Sequence, residues 1–244
     1  MHPDLLSTRC TPAPRPYFRS GGALLLAALL LALAVSSCSS ETADSAAHEA
    51  KIPGAAKPAP ASVAGLPNLA DSLQLLVRQL DTVRRIGCWD EDFARLMAVH
   101  HAGAQRLAAV EISHGLDSTL RTMAQHVLKG HRRDKQVLLL ALRRDPPQGQ
   151  EYRPGNNRDP FVRRIAAALA PLRQLPVLPG TVDADFATLM QVHHRSGVAL
   201  AQTELAFGRN PELRAEARRI VQDQQVEINQ YQRWLQAHTA PAIE

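Results

Sequence analysis

Ten residues occur twice in this chain. Asp92-Phe93-Ala94-Arg95-Leu96-Met97-Ala98-Val99-His100-His101 returns 93 positions later as Asp185-Phe186-Ala187-Thr188-Leu189-Met190-Gln191-Val192-His193-His194, with eight of the ten positions identical. A segment repeated at that distance implies that its flanks fold twice too, which constrains the architecture more than any bulk property. Aligned at the same offset without a gap, residues 92–142 and 185–235 agree at 16 of 51 positions, Leu107/Leu200, Glu111/Glu204, Gly115/Gly208 and Leu120/Leu213 among them. Pro67 and Pro160 also correspond, and each opens an amphipathic stretch suited to a helix start.

The period is helical. Phe93, Leu96, Met97, His100, Ala104, Leu107 and Glu111 fall on one stripe at 3.6 spacing. Aromatics are 4% of the chain, while Ala, Leu, Arg and Gln abound, which favours helix over sheet. The pattern predicts helices over 68–86, 90–114, 117–143, 160–174, 183–207 and 211–237. Gly115 and Gly208 are expected as left-handed terminators. Asp117 or Ser118, and Asn210-Pro211, supply the start signals of the return helices. Each repeat then reads as a short helix followed by a longer hairpin. Neither hairpin can bury its apolar face alone, so the expected fold is all-α, a four-helix bundle from two repeated hairpins with a short extra helix before each. The expected helical domain is 67–240, with repeat one over 67–145 and repeat two over 160–238.

The N-terminal part reads as an export address. Three arginines precede the uniformly apolar run 21–35, which is too short for a comfortable membrane span and ends at Val35-Ser36-Ser37-Cys38. This order matches a bacterial lipobox: 1–37 is expected as a lipoprotein signal peptide, and Cys38 as the lipidated first residue, anchoring the chain to the membrane. Ser39 after it favours the outer membrane, facing the periplasm. Residues 38–66, rich in Ser, Ala and Pro, form the expected disordered tether. The formal charge of +5 includes Arg9, Arg15 and Arg19 of the leader, and the remaining arginines form no stripe with interleaved aromatics. Nucleic acid is therefore not an expected partner. Three cysteines, Cys10, Cys38 and Cys88, make no disulfide framework.

Positions i, i+3 and i+4 share a helical face, so Met97, His100 and His101 can point to one region, as can Met190, His193 and His194. Antiparallel pairing about residues 115–116 sets His100 level with His131, and Met97 with Asp134. Pairing about residues 208–209 sets His193 level with Gln224, and Met190 with Glu227. Each hairpin is thus expected to carry one related site. Of the paired histidines, His101 and His194 lie nearer the edge of the stripe, where they orient a neighbour or meet solvent. Polar groups at one level of a core must bond to each other or to an ion. Imidazole with thioether suits copper, Cu(I) especially, and imidazole with carboxylate also suits zinc or iron. The alternative is a metal-free polar network in a structural or interaction module of the envelope.

Glu111 and Glu204 are about 16 Å from the first histidine of each pair and cannot join the same ion. They are expected to serve the turn or to pair with Arg121 and Arg214. Glu111-Ile112-Ser113-His114 has the ligand spacing of di-iron bundles, but Glu204-Leu205-Ala206-Phe207 lacks the histidine. No nucleophile motif or nucleotide loop is present, and the chain is not expected to be an enzyme.

Met-x-x-His-His, followed by Gln224-Gln225-Val226-Glu227-Ile228 on the second return helix and then Trp234-Leu235, resembles the DUF305 family over residues 90–238. The resemblance implies a ferritin-like bundle in a bacterial envelope and, from some members, binding of copper as Cu(I) or Cu(II), in a buffer or chaperone. Leu107, Leu200, Leu138 and Tyr231 stand where the family often carries methionine. His131 and Asp134 replace Gln and Glu in the first half, which favours Cu(II) or zinc there. Whether the chain forms a homo-oligomer, and which protein it meets, the sequence leaves open.

Overall fold

Among the described residues, five of the six α-helices start on a side-chain cap, and the helix that follows Cys88 starts without one. The computed structural model describes residues 68–146 and 149–238. Asn68 Oδ1 accepts the Ala70 amide and opens α1 (Leu69–Thr82). Asp117 Oδ1 accepts the Leu120 amide to start α3 (Ser118–Arg144), after α2 (Trp89–His114). Asp159 and Pro160 open α4 (Pro160–Leu169). Thr181 caps α5 (Val182–Phe207), and Asn210 Oδ1 accepts the Glu212 and Leu213 amides at the head of α6 (Pro211–His238). Among the described residues there is no strand.

The fold is all-α. Helices α2 and α3 pack as one hairpin and α5 and α6 as the other, with α2 against α5 and α3 against α6. The short helix α1 lies on α2, and α4 on α5. The seam between the hairpins is filled by Phe93, Leu96, Met97 and Leu107 and their counterparts Phe186, Leu189, Met190 and Leu200, all buried. No described helix is long and apolar enough to cross a membrane. The expected signal peptide, Cys38 and the tether lie outside the described residues.

Two boundaries differ from the sequence reading. The first helix stops at Thr82, not at 86, because the buried Asp92 carboxylate accepts the Ile86 and Gly87 amides and holds that stretch extended. The fourth helix stops at Leu169 and tightens into a 3-10 turn over Ala170–Arg173, since Pro171 has no N–H for the α ladder.

The glycines are also used differently. Gly115 and Gly208 have φ of −65° and −60°, so neither is left-handed. Left-handed glycines stand elsewhere, at Gly87, Gly149 and Gly180; Gly87 and Gly180, at φ +94° and +96°, each lie five residues before an aspartate, Asp92 or Asp185, that accepts its amide. Gly115 and Gly208 are needed for space. A Cβ on Gly115 would stand 2.2 Å from Glu111 Oε1, and one on Gly208 would stand 2.0 Å from Glu204 Oε1. Gly208→Ala is expected to cost about 1–3 kcal/mol by overpacking, read as a lower urea midpoint, and to cost clearly less in a Glu204→Ala background. An equal cost in both backgrounds would remove this explanation.

The two glutamates do serve the turns, through a crossed arrangement. Asp183, at the start of α5, accepts the Leu116 and Asp117 amides in the turn of the first hairpin. Asp90, at the start of α2, accepts the Arg209 and Asn210 amides in the turn of the second. Glu111 lies against Asp183 and Glu204 against Asp90; burial, then the neighbouring aspartate, pushes their carboxyls up to about 8 and about 9. Arg214 donates to the Leu205 and Gly208 carbonyls rather than pairing with Glu204.

Candidate metal centre

Five imidazoles converge where the hairpins meet. His100 and His193, from α2 and α5, meet across the seam with ring centroids 3.8 Å apart and planes tilted by 37°. His101 turns to its own return helix and stacks on His131 at 4.2 Å. His131 lies 5.6 Å from His194 and 6.2 Å from His193. The expectation of one site per hairpin is corrected: His131, a residue of the first hairpin, faces the histidine pair of the second, so the two sets merge into one centre. His101 and His194 are fully buried and do not meet solvent.

The contacts across each hairpin differ from the expected pairing. His101, not His100, stacks on His131; His101, not Met97, faces Asp134; and His194, not Met190, faces Glu227. His101 Nε2 is 3.3 Å and His131 Nδ1 is 3.9 Å from Asp134 Oδ2. His194 Nε2 is 2.6 Å from Glu227 Oε2. Glu227 is 23% exposed and the other groups at this level are nearly sealed. Gln224 is buried, and packs with His100 onto Gly197, where a Cβ would stand 2.2 Å from Gln224 Oε1 and 3.1 Å from His100 Cε1. Met97 and Met190 are fully buried in the apolar core.

The electrostatics favour neutral rings. Burial, and then the neighbouring imidazoles, hold His100 and His131 well below the ordinary histidine value; burial and His194 do the same for His193. Burial alone would raise the Asp134 carboxyl, but hydrogen bonds and charge from His101 and Arg219 outweigh it and leave it lowered. The Arg219 guanidinium donates to Asp134 Oδ1, to Glu216 and to Asp223.

One tautomer is set by chemistry. His193 Nε2 is 2.9 Å from the His100 carbonyl, which can only accept. The nitrogen therefore carries the proton, and in the neutral ring Nδ1 is a bare lone pair. It points at His194 Nδ1, 3.4 Å away. His101 Nε2 and His194 Nε2 meet only carboxylates, while both nitrogens of His100, Nδ1 of His101 and Nε2 of His131 are buried without a polar partner. Each such orphan costs about 1–3 kcal/mol.

Among the described residues, three groups have ligand atoms mutually within 4.8 Å: His131, His193 and His194; His101, His131 and Asp134; and Cys88, Asp90 and Glu151. The third differs in kind, since its carboxylates are already committed to the Trp89, Arg209 and Asn210 amides and the Arg209 guanidinium. The first two have lone pairs to spare. An ion at a usual distance of about 2.1 Å spaces tetrahedral ligand atoms about 3.4 Å apart, which suits them.

The profile of a family described as "Domain of unknown function (DUF305)" matches residues 90–235. The chain belongs to the DUF305 family. A crystal structure of a DUF305 fragment from Deinococcus radiodurans is similar at 29% identity and a TM-score of 0.45, covering 61% of this chain and 96% of that one. No curated protein matches. The DUF305 match takes in both Met-x-x-His-His segments and every site residue named from sequence on the return helices. It also takes in three groups that sequence reasoning missed: Arg219, Gly197 and the crossed pair Asp90 and Asp183. The aspartates were findable, because they too stand 93 residues apart. Arg219 was not, since residue 126, its counterpart, is histidine.

Proposed function

We propose that this chain binds a transition-metal ion at the histidine centre, copper foremost, as an envelope buffer or chaperone. The observation that carries the reading is the buried His193 Nδ1 lone pair, which faces a second imidazole nitrogen, His194 Nδ1, at 3.4 Å. A protein core rarely tolerates that, and a metal ion uses it directly. His131, His193 and His194 would supply the nitrogen ligands, with the His100 carbonyl fixing the His193 ring from behind. Glu227, against His194 and partly exposed, stands on the solvent side as an orienting or entry group. An all-nitrogen set with nearby carboxylate suits Cu(II) or zinc, while Met97 and Met190 would add the thioethers that favour Cu(I).

Titration of the purified protein with Cu(I), Cu(II) and Zn(II) tests this. Binding tighter than about 1 µM, abolished in the His100→Ala/His193→Ala double variant, is expected. Binding that is weaker, or that survives the double substitution, would sink the proposal.

The 3.4 Å gap also supports a second reading. A proton on His194 Nδ1 could bridge to His193, giving a metal-free network that only knits the core. Purified protein that shows no metal-dependent change in melting would favour it.

The envelope setting is proposed from Val35-Ser36-Ser37-Cys38. Radiolabelled palmitate is expected to enter the full chain and not its Cys38→Ala variant, which would be released from the membrane fraction. Label in both would remove the anchor.

A further inference from the structure

The two ligand groups in the histidine centre are not separate, because His131 belongs to both. Its two ring nitrogens have different surroundings. Nδ1 faces Asp134 Oδ2, and Nε2 is buried with no hydrogen-bond partner. An imidazole can offer one lone pair at each nitrogen once its ring proton has left.

We infer that the centre holds two ions with His131 as their common ligand. One lies against His193 and His194, and the second lies among His101 Nε2, His131 Nδ1 and Asp134 Oδ2. The inference rests on the metal-binding reading above and adds the number of ions and the residue that joins them.

The second position has its own support. Two of its edges are 3.3 and 3.9 Å, from Asp134 Oδ2 to His101 Nε2 and to His131 Nδ1, and the two rings stack at 4.2 Å. A triangle of that size accepts an ion at ordinary metal–ligand distances. His101 is fully buried, and its Nε2 lies 3.3 Å from Asp134 Oδ2, so a ring nitrogen and a carboxylate oxygen stand within reach of one ion. Asp134 is aimed by Arg219, which takes Oδ1 and leaves Oδ2 turned to the two rings. Arg219 faces Asp134, Glu216 and Asp223, three carboxylates on one guanidinium, so the surroundings remain receptive to a further cation. When both ions bind, His131 gives up its ring proton to solvent and bridges as an imidazolate. Arg219 is a positioning residue here and touches no ion.

The test is stoichiometry together with the magnetic state. The full chain is titrated with Cu(II), and with Zn(II) as a spinless control, and Cu(II) is followed by electron paramagnetic resonance. Two equivalents are expected. The copper signal should grow with the first and shrink with the second, because spins joined through one imidazolate couple. Asp134→Asn keeps the side-chain shape and should remove only the second equivalent. Arg219→Gln should weaken that equivalent about 10–100-fold and spare the first, with recovery in Arg219→Lys. Two equivalents whose signals simply add would overturn the bridge. One equivalent, unchanged in Asp134→Asn, would overturn the second position while leaving metal binding intact. No equivalent of either metal would overturn both readings together.

Discussion

Substituting His193 by alanine is expected to abolish the rise in melting temperature that Cu(II) or Zn(II) brings to the unsubstituted protein. A ligand present at 100 times its dissociation constant stabilises the folded state by about 2.7 kcal/mol. For a domain of this size that is a shift of roughly 5–11 °C. The variant loses the lone pair on which the centre depends, and also the hydrogen bond to the His100 carbonyl, so its metal-free melting temperature should fall as well. The informative quantity is therefore the difference between melting with metal and melting with chelator. In His193→Ala that difference should be near zero. His126→Ala, on the exposed side of α3, should retain the full shift and controls for adventitious imidazole binding. A shift that persists in His193→Ala would show that metal binds elsewhere.

The second large effect is on stability against pH. Glu111 faces Asp183, Asp117 and Arg121, and Glu204 faces Asp90, Glu151 and Arg214. Both carboxyls are raised from an ordinary 4.5, to about 8 and about 9. The folded chain therefore holds two protons that the unfolded chain releases. The stabilisation from these groups is complete below pH 4.5, declines as pH rises, and is gone above about 8 for Glu111 and about 9 for Glu204. Each group can steepen the decline by up to about 1.4 kcal/mol per pH unit. His100, His131 and His193 work in the opposite sense, being lowered from 6.5. Their stabilisation is present above 6.5 and is lost as pH falls. Stability of the metal-free protein should then peak near pH 6.5 and drop on both sides. In Glu111→Gln/Glu204→Gln the amides can still donate to Asp183 and Asp90, and the alkaline decline should flatten while the acid limb stays. Urea midpoints across the pH range decide this. An alkaline limb unchanged in the double variant would mean the crossed carboxyl pairs are not its cause.

These carboxyl pairs illustrate how the sequence can show a residue without its role. Glu111 and Glu204 recur at the repeat offset, and their distance from the histidines already removed them from the centre. Gly115 and Gly208 recur as well, and a glycine after a helix ordinarily signals a left-handed residue. Their actual task is to leave room for a buried carboxyl, which only the packing of the helix end reveals. Left-handed positions sit instead before α2 and α5, at Gly87 and Gly180, where an aspartate five residues on captures the glycine amide. Arg219 had no counterpart at the offset, so no pattern could connect it with Asp134, 85 residues away.

The sequence by itself determined the helices to within a turn, the side-chain caps of the return helices, and the pairing into hairpins. Those follow from periodicity, capping chemistry and the repeat, all of which act within an element or across one short turn. It also placed the histidines at one level, because antiparallel pairing about a turn is simple arithmetic. Tertiary structure decided which face of α2 meets α5, and with it everything that depends on the rotation of one hairpin against the other. A rotation of a fraction of a turn determines whether His100 or His101 faces His131. It also determines whether two half-sites remain apart or fuse, and which nitrogen of His193 is satisfied by a carbonyl and which is left bare. Those outcomes depend on side-chain packing between segments 93 residues apart, and no local pattern in the chain encodes that packing.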